Sequence, residues 1–336
     1  MPCIVFGTCQ GDFGMAGQTY RPKRLAFVGN RCQSHVNVLV CRDCAFKPNR
    51  HAHDMLHGVD TIVFDIQDIG TRFYTYISTM GGAMKAAASH GIRFVLLDRP
   101  NPIDGLTVQG PVLDAGSESF VGYHPIAVRH GMTIGELAKM FHAEWELDLD
   151  LVVVPVEGWD RRQMFDACGR LWINPSPNMR SLTQALLYPG VGLLETTNVS
   201  VGRGTDTPFE VIGAPWIDSL ELARELNAAK DQGVRFVPIR FTPSSSKYAD
   251  QECSGVNIVI TDRSVFHPLR GGLLLAVTLR RLYPDQWDTS NLNRLLASEN
   301  TAAGIRSGKS VDQLQQGYQR QLDAFRQRRQ RYLLYQ

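Results

Sequence analysis

The chain contains no apolar run near the roughly 18 residues that a membrane-spanning helix requires, so no span is expected in its 336 residues. It carries almost no net charge, formally +2 at pH 7, which removes the general electrostatic case for nucleic acid or an acidic membrane as a partner. No secretory leader is visible, because Met1–Phe6 is too short and Cys9–Gly17 too polar for the apolar core of one. The seven cysteines lack a framework: their count is odd, and five of them, Cys3, Cys9, Cys32, Cys41 and Cys44, crowd the amino-terminal segment. That pattern excludes a disulfide scaffold. Cys41 and Cys44 followed by His51 and His53 have zinc-ligand chemistry, but the His-x-His spacing is short and no second cysteine pair stands at ribbon spacing. No metal and no cofactor are expected. Gly-x-Ser-x-Gly, His-Glu-x-x-His and a Gly-x-Gly-x-x-Gly loop after the first clear strand are all missing, which leaves serine-esterase, zincin and dinucleotide readings without a foothold. Ala303 to Ser310 imitates a phosphate loop, but alanine replaces its first glycine and no buried strand precedes it.

What is present centres on residues 60–102. Thr61-Ile62-Val63-Phe64 is a short unalternating run of β-branched and aromatic residues, as in a strand buried on both faces of a parallel sheet. A polar loop with Asp65, Gln67, Asp68 and Gly70 follows, then a helical stretch from about Phe73 to His90 stopped by Gly91. Arg93 to Leu97 reads as a second strand, ended by Asp98, Pro100 and Pro102. Ligands of open α/β sheets bind beyond the carboxyl ends of the strands, so Asp65, Asp68, Asp98 and Arg99 should gather on one rim. The plainer alternative is that Asp65 and Asp68 cap the helix or pair with Arg72.

Along the rest of the chain, Gly105 to His124 reads as a surface excursion and Thr133 with Glu136 as a capping box opening a helix. Leu149 to Pro155 reads as another strand, and Trp159, just beyond it, as core or as a platform for a ligand ring. Trp172 to Trp216 is rich in Gly, Pro, Asn, Ser and Thr, with too little periodicity for a long helix, as in a loop-built site. Within it Glu195 directly follows the apolar Val191 to Leu194, where burial would suit it to proton donation, unless it pairs with Arg203. Helices are expected over 217–230, 269–282 and 310–334, the last with a Ser310–Gln313 capping box and a basic, solvated face, and strands over 234–241 and 256–260.

The segments FDIQDIGTRFYTYIS, LLDRPNPIDG, VRHGMTIGELA, WINPSPNM, LLYPGVGLLETTNVSVGRGTDTPFEVIGAPW and LDAFRQRRQRYLLY occur in one collinear order from about Met55. Together they resemble the bacterial exo-β-N-acetylmuramidase (NamZ-like) family. The resemblance implies an α/β fold: a Rossmann-like parallel-sheet domain over 54–216, with a second, smaller α+β C-terminal domain over 217–336. It implies removal of N-acetylmuramic acid from the non-reducing end of peptidoglycan fragments without a cofactor, and a secreted or periplasmic location. Asp65, Asp68 and Glu195 are then the candidate acids. Arg72, Arg99 or Arg203 would take the lactyl carboxylate, and Tyr74, Tyr76, Asp98, Asn101, His130, Asn174, Ser176, Asn178, Asn198 and Thr205 would line the sugar pocket.

One motif departs from the family. Its Phe-x-Pro-Glu-His-Gly-type segment supplies the leading catalytic glutamate, whereas here Phe6-Gly7-Thr8-Cys9-Gln10-Gly11 puts Cys9 at that position and Gln10 at the histidine. Residues 1–53, which contain no glutamate, are therefore expected to be an aberrant or truncated part of the first domain, read partly out of frame. The alternative function is a catalytically impaired protein that binds muramyl sugars or peptidoglycan fragments.

Overall fold

The computed structural model describes residues 56–336, and before them the backbone of five short strands: β1 (Cys3–Gly7), β2 (Phe13–Met15), β3 (Gln18–Tyr20), β4 (Leu25–Gly29) and β5 (Val38–Leu39). The remaining candidates of the first segment, Cys9, Gln10 and the Cys/His group among them, lie outside the described residues. The main sheet adds β6 (Thr61–Asp65), β7 (Arg93–Leu97) and, after the pair β8 (Gln109–Val112) and β9 (Ala127–Arg129), β10 (Leu151–Val154). Its order is β10-β7-β6-β4-β1-β5. From β10 to β4 the strands run parallel, and β1 is antiparallel to both of its neighbours. Parallel pairing puts the carboxyl ends of β6, β7 and β10 on one edge, where the polar loops begin.

The central unit is as the residue pattern predicts, except that its helix starts late, at Tyr76, and runs to Ser89. The cause lies just upstream. Thr71 bridges Arg129, and Arg72 N–H donates to Val128 O at 2.8 Å, so these residues are held in extended pairing rather than in a first helical turn. Met80, Ala83, Met84 and Ala87 on that helix are fully buried, as befits a helix lying on a sheet. The next helix, Ile134–Glu144, has the complete Thr133–Glu136 capping box.

Three sequence expectations differ from the fold. The stretch 105–124 is not only a surface excursion, because it carries β8, which pairs with β9. The loop-built block contains a helix, Leu182–Val191, which holds Pro189 inside it and continues into a 3-10 turn, Gly192–Thr196. Glycine permits its packing: a Cβ on Gly190 would meet Pro268 O at 2.0 Å, so this helix touches Pro268–Leu282 backbone to backbone. The third concerns the terminal helix, Val311–Arg329, whose basic face is not simply solvated. Arg326 donates to Val108 O, Arg328 to Pro125 O, and the buried Arg329 to the carbonyls of Gly105, Leu106 and Gly131. Those carbonyls lie far away in sequence, so no local pattern foretells them.

The smaller part is an antiparallel sheet, β11 (Val211–Ala214), β13 (Cys253–Ile260) and β12 (Val234–Phe241), ordered β11-β13-β12 and covered by helices including Ser219–Ala228 and Pro268–Leu282. One hydrophobic cluster runs through both parts, from Ile62 and Phe94 to Val256 and Leu322. The molecule is thus α/β, with a parallel sheet and a second, smaller α+β unit.

Candidate active site

The loop between β6 and the central helix carries the most distinctive polar group in the molecule. Asp68 is 5% exposed. Its Oδ2 accepts the Gly70 N–H at 2.7 Å and lies 3.5 Å from His130 Nε2, while Oδ1 is buried without a hydrogen-bond partner among the described residues. A buried carboxylate oxygen left open in this way is costly unless a ligand or water uses it. Gly70 has φ +79°, and a Cβ there would meet Asn101 Oδ1 at 2.4 Å, so glycine is required for the turn that presents Asp68. Asn101 braces the loop from beneath, donating to Met132 O and accepting from Ile103 N–H.

Beside Asp68 the aromatic residues form a continuous floor. Tyr74 is T-shaped against Tyr76, with ring centroids 4.9 Å apart, and against Tyr188 at 5.8 Å. Tyr188 packs on Phe73 at 5.1 Å and on Phe209 at 4.6 Å. The Tyr74 hydroxyl is buried without a partner among the described residues. Burial, helped by Tyr76, pushes that phenol far above its ordinary range; Ser176 lies beside it and Asp68 within electrostatic reach. Tyr76 instead donates to Pro175 O, which fixes the loop carrying Asn174, Ser176 and Asn178.

The floor leads to Glu195. That carboxylate is partly buried, as its apolar approach suggests: its side chain keeps 26% of its surface, and Oε1 lies 2.5 Å from Arg203 Nε. The pairing with Arg203 is therefore present and orders the loop. Arg203 sits over the Phe209 ring at 5.2 Å, and its terminal nitrogens make no hydrogen bond to the described residues, so its fork is open to an incoming carboxylate. Lys247 pins the same turn through the carbonyls of Glu195 and Thr197. Sequence reasoning missed both Tyr188 and Lys247. Tyr188 sits next to a proline that hides its helix, and Lys247 is a lone lysine in a polar loop with no pattern around it.

The other expected residues have partners of their own. Asp65 and Arg99 form a half-exposed ion pair on the rim at 2.6 Å. Asp98 is saturated, accepting from Arg99 N–H, Gly135 N–H, Thr133 Oγ1 and Tyr335 OH; burial, against these bonds, still pushes it up to about 6. Arg72 is fully buried and spends its guanidinium on the carbonyls of Pro111, Ile126, Leu295 and Leu296. Both terminal nitrogens are thereby used, and only the buried Nε is without a partner among the described residues. Asn198 ties its loop to Gln286 O and Asp288 N–H, and Thr205 closes a turn on Gly202 O. Trp159 is core, edge-on to Tyr335 with centroids 5.0 Å apart. The convergent set is therefore Asp68, Tyr74, His130 and Ser176, joined through Tyr188 to Glu195 and Arg203.

Two family models account for nearly the whole chain: Exo-beta-N-acetylmuramidase NamZ, N-terminal, over residues 13–183, and Exo-beta-N-acetylmuramidase NamZ, C-terminal, over residues 186–335. The chain belongs to the exo-β-N-acetylmuramidase family. Among other members, the peptidoglycan β-N-acetylmuramidase NamZ of Bacillus subtilis (strain 168) is 44% identical over 292 residues, 86% of this chain and 70% of that protein. Two solved structures of DUF1343 family proteins from Bacteroides fragilis NCTC 9343 share the fold seen here. One is 34% identical with a TM-score of 0.80 and the other 32% identical with a TM-score of 0.70, each covering 86% of this chain and 78% of its own.

Proposed function

We propose that this chain is an exo-acting glycoside hydrolase that releases N-acetylmuramic acid from the non-reducing end of peptidoglycan fragments, a step of cell-wall turnover. Family membership supports the reaction class. The observation that carries the assignment of the site is the buried Asp68 with one open oxygen beside an aromatic floor. Glycoside hydrolysis needs an ionised carboxylate next to the anomeric carbon or its attacking water, together with a proton donor at the leaving oxygen. Asp68 takes the first role. The apolar face of the sugar stacks on the tyrosine floor, and Arg203 receives the lactyl carboxylate. Tyr74, its phenol held protonated by burial, donates a hydrogen bond to the sugar.

Cys9, standing where the family's motif has its glutamate, favours the second reading, a protein that binds such fragments with little turnover. A missing general acid costs about 10²–10⁴-fold in rate. Chromophore release from 4-nitrophenyl β-N-acetylmuramide, with the N-acetylglucosaminide as control, separates the two. Muramide-selective release establishes the enzyme. Calorimetric binding of the muramide by folded protein without release establishes the binder, and neither release nor binding defeats both readings.

A further inference from the structure

His130 is wholly buried, one residue after β9 and within the turn that leads to the Thr133 cap. Its position next to Asp68 is fixed by backbone: β9 is zipped to the Asp68 loop by the Thr71–Arg129 bridge and by Arg72 N–H donating to Val128 O. The two ring nitrogens have different surroundings. Nδ1 accepts the Met132 N–H at 3.2 Å. A nitrogen that accepts carries no proton, so the ring proton is on Nε2. Nε2 makes no hydrogen bond to the described residues and faces Asp68 Oδ2 at 3.5 Å. Oδ2 is also the oxygen that takes the Gly70 N–H.

One oxygen of the carboxylate, Oδ2, thus has a formed donor in Gly70 N–H and a second donor 3.5 Å away in His130 Nε2–H, while the other, Oδ1, is buried with none among the described residues. We propose that His130 is a positioning residue: as its Nε2–H tautomer, set by Met132, it clamps Asp68 Oδ2 and aims Oδ1 at the reacting sugar. The 3.5 Å contact is longer than a formed hydrogen bond and closes when substrate draws Asp68 into place, as catalytic hydrogen bonds commonly tighten in the complex. His130 is thus not itself a sugar ligand.

This role rests on the reading of Asp68 as the catalytic carboxylate, and the test keeps the two apart. Ring ¹⁵N shifts of the full chain, with the His130 signals identified by their loss in His130→Gln, report the tautomer without any turnover. The expected result is a proton on Nε2 whose shift changes in Asp68→Asn; a proton on Nδ1, or a signal indifferent to Asp68→Asn, overturns the pairing. In muramide release, His130→Asn keeps an acceptor for Met132 N–H but brings no donor to Asp68, and is expected to lower kcat about 10–100-fold with little change in KM, the range found for orienting partners. His130→Gln, whose amide N–H takes the place of Nε2–H, restores most of that loss. Equal losses in both folded variants, or a loss confined to KM, overturn the role. Absence of release by the wild-type chain defeats the functional reading alone, and the ring shifts still decide whether His130 clamps Asp68.

Discussion

Asp68 and Asp98 are both buried carboxylates at strand ends, yet their surroundings give them opposite work. Asp98 has every acceptor position filled, whereas Asp68 keeps Oδ1 open. Asp68→Asn is therefore expected to cut kcat for muramide release by about 10²–10⁴-fold while leaving the thermal midpoint within a few degrees. Asp98 should show itself in stability instead. Its pKa is raised by burial to about 6, above an unfolded value near 3.9. The stability contributed by such a group is fully present below the unfolded value and is lost as pH rises through about 6. Wild type should thus gain about 3 kcal/mol relative to Asp98→Asn between pH 7 and pH 3.5, as read from denaturant midpoints across that range; a constant difference would refute it. Both residues could be placed at the rim from sequence, since each follows a run that reads as a buried strand. Which of them is saturated could not, because the donors come from residues 133, 135 and 335.

Elements were legible where their signals are local. Two capping boxes, Thr133 with Glu136 and Ser310 with Gln313, sit where the sequence puts them, and the β-branched runs of β6 and β7 became central strands. The helix Leu182–Val191 escaped notice because Pro189 and Gly190 are punctuation in sequence terms. What makes them helical is contact with another element. Gly190 and Gly272 lie backbone against backbone, with the position of a Gly272 Cβ only 2.5 Å from Gly190 Cα. Gly190→Ala should accordingly push the two helices apart at a cost of about 3 kcal/mol, lowering the urea midpoint with little change in slope. Because Tyr188 is on that helix, muramide binding should weaken along with stability; a variant as stable as wild type would show that the crossing is not held at this point.

The whole molecule is tied together by its last turn. Leu334 N–H donates to Glu136 Oε1, Tyr335 OH to Asp98 Oδ2, and the carbonyls of Tyr335 and Gln336 accept from Arg161. Removing residues 333–336 should leave the buried Asp98 and the Glu136–Arg161 pair short of partners. One calorimetric transition is then expected to split in two as the parallel-sheet part melts first; a single transition lowered as a whole would show that the joint does not depend on these residues. None of this was legible in advance, because the partners are separated by 174 to 237 residues. The same separation has a meaning in time. At about 5–20 residues per second of synthesis, Asp98 and Arg161 leave the ribosome on the order of ten to forty seconds before their last partners, Tyr335 and Gln336. During that interval the nascent first domain lacks the Tyr335 hydroxyl at Asp98 and the two carbonyls at Arg161, so its polar seam is completed last.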